Sequence, residues 1–268
     1  MTVRNDTYAA ILARDGAVRL RQAAVLALVL AGIVGAGWLT GLFDIQRFAD
    51  AWPAVAQLSS EMFPPDFGRY QKWLRPLADT LAMSVAGTAL AVAFSLPLAL
   101  LAAGNTAPNR IVYQGTRLLL NLLRSIPELI MGIIFVAMVG FGALPGVLAL
   151  GLHSVGMVGK FFAESIEHVD HKPIDAARAA GASPVQVIGH AVLPQVLPQL
   201  ADTTIYRWEY NFRASTVLGA VGAGGIGFEL IAALRVLEYA QVSAILLCIL
   251  ACVTIVDGVG AALRRSLK

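Results

Sequence analysis

Between residues 206 and 219 the chain reads YRWEYNFRASTVLG. Arg207, Glu209, Asn211 and Arg213 interrupt a stretch, about Gln199–Val221, that is otherwise apolar enough to lie in a bilayer. A charge at mid-bilayer costs at least about 2.5–3.5 kcal/mol, so these side chains must face protein or water. Guanidinium groups present a planar fork of donors suited to oxyanions, and Ser215 and Thr216 would add hydroxyls along the same route. Glu209 lies four residues before Arg213 and is expected to pair with it, partly neutralising the site so that a bound anion can leave. Arg207 and Arg213, six apart, fall on different stripes of a helix. The same groups would serve equally as a structural ion-pair network between helices. His153 and Ser154 lie in another apolar stretch, either on the same route or in a helix–helix hydrogen bond. Glu128, after Pro127, is expected to pair with Arg124 at i, i+4.

A second candidate follows directly. In STVLGAVGAGGIGFEL, Gly222, Gly224 and Gly227 spell G-x-G-x-x-G. A dinucleotide site needs that motif between a strand and a helix, within a βαβ unit, and nothing downstream supplies one. Gly219, Gly222, Gly224, Gly225 and Gly227 instead permit tight bends and close backbone approach. They suit a hinge or gate, or a packing corner at a helix end. Glu164, Glu167, His168, Asp170 and His171 are metal-ligating types, but they fall in a solvated segment and no metal is expected there. Cys248 and Cys252, the only cysteines, share a helix face and read as buried thiols. The chain has no Gly-x-x-x-x-Gly-Lys-Ser/Thr; Phe161 follows Gly159-Lys160, so ATP hydrolysis by that means is excluded.

The elements that must position these residues follow from composition. Of 268 residues 57% are hydrophobic and 14% charged, against about 25% charged in an ordinary soluble domain. Six apolar blocks are expected to be helices, because backbone groups in lipid must be satisfied internally. They are about Ala23–Phe43, Leu77–Ala103, Leu118–Val139, Val147–Phe162, Gln199–Val221 and Ala240–Leu263. The first is too long for a signal-peptide core. Residues 44–76 carry Trp52, Phe63, Phe67, Tyr70 and Trp73 among charges and prolines, as an interfacial segment would. The chain therefore divides into residues 1–76 (tail, first span and interfacial segment) and a core at 77–268. Placing both termini, residues 104–124 and residues 160–200 in the cytoplasm puts thirteen Lys/Arg inside and five in the outer loops, the expected bias. The net charge is +3 with no dense basic tract, which gives nucleic-acid binding no support.

One cytoplasmic segment exceeds what a simple pore needs. VDHKPIDAARAAGASPVQVIGHAVLPQVLPQL, residues 169–200, has the grammar of two short helices. Pro173 suits a first turn and four alanines favour helix; Gly181 can end it. Ser183, Pro184 and Gln186 then form a capping box with proline at the first position. Pro194 and Pro198 mark the return to the membrane. Two stiff small-residue helices suit docking in a partner's groove. With Lys172 and Arg178 its only Lys or Arg, and lying against the membrane, this segment does not support a DNA-binding pair of helices.

DAARAAG at 175–181 and AVLP at 191–194 resemble the Glu-Ala-Ala loop of ATP-binding-cassette importer permeases. Asp175, Ala176, Ala177, Gly181, Leu193 and Pro194 match in register; Asp175 replaces the family's Glu and Ala191 its Ile. LLRSIPELI, LHSVGMVGKFFAESIE, YRWEYNFRASTVLG and VGAGGIGFEL further resemble permeases for phosphonates, phosphite and hypophosphite. The resemblance implies an all-α polytopic membrane protein of about six spans, a type I importer domain of the methionine-permease kind. It also implies a homodimer, two separate ATPase subunits holding ATP and Mg, an extracytoplasmic solute-binding protein and a bacterial inner membrane. No cofactor is expected on this chain, and the glycine segment would lie beside the dimer axis at an outer gate. An ion-gradient-driven transporter or channel with Arg207, Glu209 and Arg213 as its relay is the alternative; a membrane enzyme using His153 is a weaker one.

Overall fold

The computed structural model describes residues 2–266, and side chains from residue 15 onward except 16 and 17. Arg4, Arg14 and Lys268, which contribute to the orientation bias, lie outside the described side chains. Two compact units are present, residues 1–60 and 61–268.

In the first unit α1 (Thr2–Leu39) contains Val18–Leu39, apolar and long enough to span a bilayer. Gly41, at φ +74°, terminates it in the left-handed conformation that glycine accepts at low cost. A second helix, α2 (Ile45–Glu61), follows. Residues 44–76 are thus more helical than their prolines suggest. Ile45, Phe48, Trp52 and Val55 form one exposed apolar stripe, and Pro53 lies inside the helix.

The second unit is built on α3 (Tyr70–Ala102), α4 (Arg110–Ser125), α5 (Glu128–Val139) and α6 (Ala143–Glu167). α7 (His171–Ala179) and α8 (Pro184–Val187) form the projecting loop, followed by α9 (Leu193–Leu218), α10 (Gly225–Arg235) and α11 (Tyr239–Ser266). The axis of the unit is the α3–α6 pair. A Cβ on Gly87 would lie 2.9 Å from Leu150 Cβ, so only a residue without one lets the helices approach this closely. The Ser95 hydroxyl donates to the Val155 carbonyl across the same seam at 3.2 Å. Three apolar clusters fill the unit. One centres on Leu120, Phe162 and Val187 near the projecting loop, one on Met83, Leu150 and Leu218, and one on Trp73, Ile226 and Ile245.

Among the described residues four helices are long and apolar enough to cross a membrane. Two bent pairs raise the number to six: α4 with α5, at 84°, and the α8–α9 path with α10, at 60°. No strand occurs among the described residues, and the chain is an all-α polytopic membrane protein. The third apolar block is therefore not one helix. Proline disfavours helical backbone at the residue before it; Ile126 is extended at φ −87°, ψ 120°, and the chain turns before Glu128. The fifth block starts earlier than hydropathy suggests. Pro194 and Pro198, expected to mark the chain's return, lie inside α9, and a π turn over residues 188–192 leads into them. The wider turn accommodates a proline that cannot donate to the preceding turn.

Candidate functional site

Four helices of the second unit converge on Arg207. The helical spacing puts Arg207, Tyr210 and Asn211 on one face of α9, opposite His153 and Ser154 of α6, Thr88 of α3 and the first turn of α5. Arg207 is 2% exposed. Its Nε donates to Ser154 Oγ at 2.7 Å, the Ser154 hydroxyl donates to Asn211 Oδ1 at 3.2 Å, and Asn211 Nδ2 donates to Thr88 Oγ1 at 2.9 Å. The Thr88 hydroxyl then donates to the Ser84 carbonyl at 2.7 Å. This chain of bonds satisfies buried polar groups of three helices.

The other side of the guanidinium is less complete. Its plane lies over the Tyr210 ring, with Cζ 4.3 Å from the centroid, and Nη1 contacts Met157 Sδ at 3.1 Å. Nη2 has no hydrogen-bond partner among the described residues. The nearest anion is Glu128 Oε2 at 3.9 Å. Glu128 is held elsewhere: the Tyr210 hydroxyl donates to its Oε1 at 2.8 Å, and His153 Nε2 lies 3.4 Å from its Oε2. His153 Nδ1 is 3.0 Å from the Ile126 carbonyl, which can only accept, so Nδ1 carries the hydrogen of that bond.

The expected Arg124–Glu128 pair is not formed. Those residues belong to different helices on either side of the 84° bend, so their i, i+4 spacing has no helical meaning. Glu128 and Tyr210 are the site members that residue spacing missed. Tyr210, three residues after Arg207, was the available signal; Glu128 had none, because its partners are distant in sequence.

Glu209 and Arg213 also do not pair with each other. They occupy a second face of α9, against α11. Glu209 Oε1 meets Arg264 Nη2 at 2.8 Å, and Arg213 Nη1 meets Asp257 Oδ1 at 3.0 Å. Gly260 leaves the room that the Glu209 carboxylate occupies. Cross-helix partners won over the local one because α9 and α11 run side by side. Ser215 is buried and its hydroxyl is committed to the Phe212 carbonyl at 2.7 Å; Thr216 likewise donates to the Arg213 carbonyl at 2.7 Å.

Beyond Leu218 the helix widens into a π turn over residues 219–223 and stops. Gly222, Gly224 and Gly225 have φ of +101°, +75° and +70°, where side-chain-bearing residues are strained. The Thr80 hydroxyl oxygen accepts from Ile226 N at 2.9 Å, and the Gly222 carbonyl from Gly142 N at 3.1 Å. A Cβ on Gly219 would sit 2.7 Å from the Gly224 carbonyl oxygen, and one on Gly227 would overlap the Thr216 carbonyl. The G-x-G-x-x-G motif thus forms a folded corner between two helices, with no strand before it.

At the projecting loop, Asp170 caps α7 by accepting from Lys172 N at 3.0 Å, which moves Pro173 to the third helical position. Gly181 ends the turn at φ +83°. Ser183 Oγ accepts from Gln186 N at 3.4 Å and Gln186 Oε1 accepts from Ser183 N at 2.8 Å, the full capping box. Asp175, Ala176 and Pro194 are exposed; Ala177 and Leu193 are half-buried. Asp175 is 3.9 Å from Arg178. A cavity of about 160 Å³ between the two short helices is lined by Ile174, Arg178, Ala182, Val187 and Val192. Glu167 accepts from Gly104 N at 2.7 Å and from Arg117 at 2.8 Å, tying α6 to the α3–α4 connection. No group of three metal-ligating side chains occurs among the described residues. Cys248 and Cys252 are half-buried, not buried as their apolar context suggests, because that face of α11 is only partly covered.

Up to six spans, a polar centre shared by four helices and a paired-helix projection define a membrane-embedded transport subunit. The chain belongs to the family of binding-protein-dependent transport system inner membrane components, whose family model matches residues 95–268. It is 64% identical over 248 residues to the phosphite transport system permease protein PtxC of Stutzerimonas stutzeri, covering 92% of this chain and 90% of that one. It is 42% identical over 213 residues to the phosphate-import permease protein PhnE of Mycolicibacterium smegmatis, covering 80% of this chain and 40% of that one. Its fold is similar to that of a chain in the inward-facing MetNI methionine ABC transporter, with a TM-score of 0.64 at 22% identity over 73% of this chain and 96% of that one. The chain is a multi-pass inner-membrane transport permease.

Proposed function

We propose that this chain is the translocation subunit of an ATP-driven importer for phosphonate-like oxyanions: phosphonate, phosphite or hypophosphite. It works as two copies with two ATPase subunits, which hold ATP and Mg, and with an extracytoplasmic solute-binding protein. The chain itself binds no cofactor and hydrolyses nothing. The observation that carries the cargo class is Arg207, a guanidinium buried among four helices with one nitrogen left without a hydrogen bond. The names of the relatives, phosphite and phosphate permeases, support the same class.

His153, Ser154, Arg207 and Asn211 line the route in this reading, while Glu209, Arg213, Ser215 and Thr216 hold its walls. Both termini face the cytoplasm, as does the 169–200 loop. Asp175, Ala176, Ala177, Gly181, Leu193 and Pro194 form the docking projection for the ATPases. The corner at Gly219, Gly222, Gly224, Gly225 and Gly227 serves as hinge or gate at the far end.

The test is uptake of the three anions into liposomes holding this chain, its ATPase and its binding protein. ATP-dependent accumulation of at least one is expected. Uptake that persists without the ATPase, driven by an ion gradient, would overturn the proposal.

A further inference from the structure

Resting on that function, we infer that Arg207, Glu128 and His153 form a binding site in transit for oxyanions that carry their own O–H group. The class is hydrogenphosphite and phosphonate monoanions; hypophosphite, which has no O–H, is excluded from it.

The inference starts from hydrogen-bonding capacity. Arg207 Nη2 is a donor that is buried and unpartnered. Beside it stand two acceptors. Glu128 Oε2 is a carboxylate oxygen whose sister Oε1 is already taken by Tyr210. His153 gives its Nδ1 hydrogen to the Ile126 carbonyl, so while the ring is neutral its Nε2 can only accept. These two acceptors face each other at 3.4 Å, and Nη2 is 3.9 Å from the carboxylate. A ligand that completes this arrangement must accept from Nη2 and donate to Oε2 or Nε2. An anion with an unprotonated oxygen and an O–H does both; one without an O–H meets Arg207 favourably but turns a lone pair toward a carboxylate.

Access and charge agree with such a ligand. The carboxylate edge is the open one, with the Glu128 side chain 22% exposed against 2% for Arg207. The site lies at the first turn of α5, whose free N–H groups favour an anion. Glu128 also offsets the charge of Arg207, so cargo is held briefly. Tyr210 has a positioning role: its hydroxyl restrains Glu128 and its ring supports the guanidinium.

The test uses the assembled permease–ATPase complex in lipid nanodiscs without binding protein. Bound isotope-labelled phosphite is displaced by unlabelled phosphite, hypophosphite or sulfate. Phosphite is expected to compete about ten-fold or more better than hypophosphite, the worth of one hydrogen bond to a charged group. Glu128→Gln should bring the two anions to within about two-fold of each other and improve competition by sulfate, because the repelling carboxylate is gone. Arg207→Gln should weaken all three by about ten-fold or more. Equal competition in the unmodified protein, an unchanged ratio in Glu128→Gln, or no phosphite binding at all would overturn the inference. If Arg207→Gln does not assemble, the ratio in Glu128→Gln decides alone, since a merely structural carboxylate would not reorder the anions. ATP-dependent uptake measured in parallel separates the two levels. Uptake without an O–H preference at the site defeats only this inference, whereas absence of uptake of all three anions defeats the proposed function.

Discussion

Arg207 and Arg213 stand six residues apart on one helix, and the fold treats them in opposite ways. Arg213 is a half-exposed cation, 45% accessible, matched one-to-one with Asp257 on α11. One turn away Glu209 Oε1 lies 2.8 Å from Arg264, a close ion pair even though that oxygen makes no well-aligned hydrogen bond among the described residues. Arg207 is sealed among four helices, bonded through Nε and stacked on Tyr210, yet Nη2 is left without a bond and its nearest carboxylate is held by another residue. On the proposed function, the side of α9 that faces α11 fastens helices through close one-to-one ion pairs, while the Arg207 side holds its guanidinium apart from its nearest carboxylate and so open to a passing ion.

That contrast can be broken most sharply at Arg207. Arg207→Gln removes the cation nearest to the half-buried Glu128, and phosphite uptake into liposomes should fall at least ten-fold. Unaltered uptake would erase the distinction between the faces. Gly260→Leu attacks the other face, placing a side chain where the Glu209 carboxylate lies. Overpacking of this kind costs about 1–3 kcal/mol, visible as a lower melting temperature in detergent, while the anion preference of surviving complex stays as it was. Gly181→Asp touches neither face. At φ +83° a side chain adds about 1–2 kcal/mol of local strain, and ATP-coupled uptake should drop several-fold with anion binding retained; full coupling in this variant would argue against docking at the loop. Arg213→Ala should matter least, because an exposed pair is worth about 0–1 kcal/mol. Uptake within about two-fold of normal is expected, and a collapse of transport would move Arg213 into the recognition face.

How much of this was legible in the sequence depends on the range of the determinant. Gly181 and the Ser183–Gln186 capping box were readable because their partners lie within three residues. The six apolar blocks were readable because hydropathy is a local sum, although Pro127 divides one of them into α4 and α5. Charge pairing was the failure. Arg124–Glu128 and Glu209–Arg213 both satisfy helical spacing, yet Glu128 finds Tyr210 82 positions away, and Arg213 finds Asp257 44 positions away. Spacing within a helix says which residues share a face; only packing decides what that face meets. The same holds for Cys248 and Cys252, whose apolar neighbourhood does not reveal that their side of α11 is left partly uncovered.

The π turn at residues 188–192 has a mechanical meaning. It joins the short α8 to α9 without a loop, so helical backbone is continuous from Pro184 to the buried arginine. From Leu193 to Arg207 is about 21 Å of helix at 1.5 Å per residue. Pro198 lies within that length, and the one wound-out turn lies at its base. On the proposed function, a push received by the 169–200 loop would have an unbroken helical path to the guanidinium deep inside.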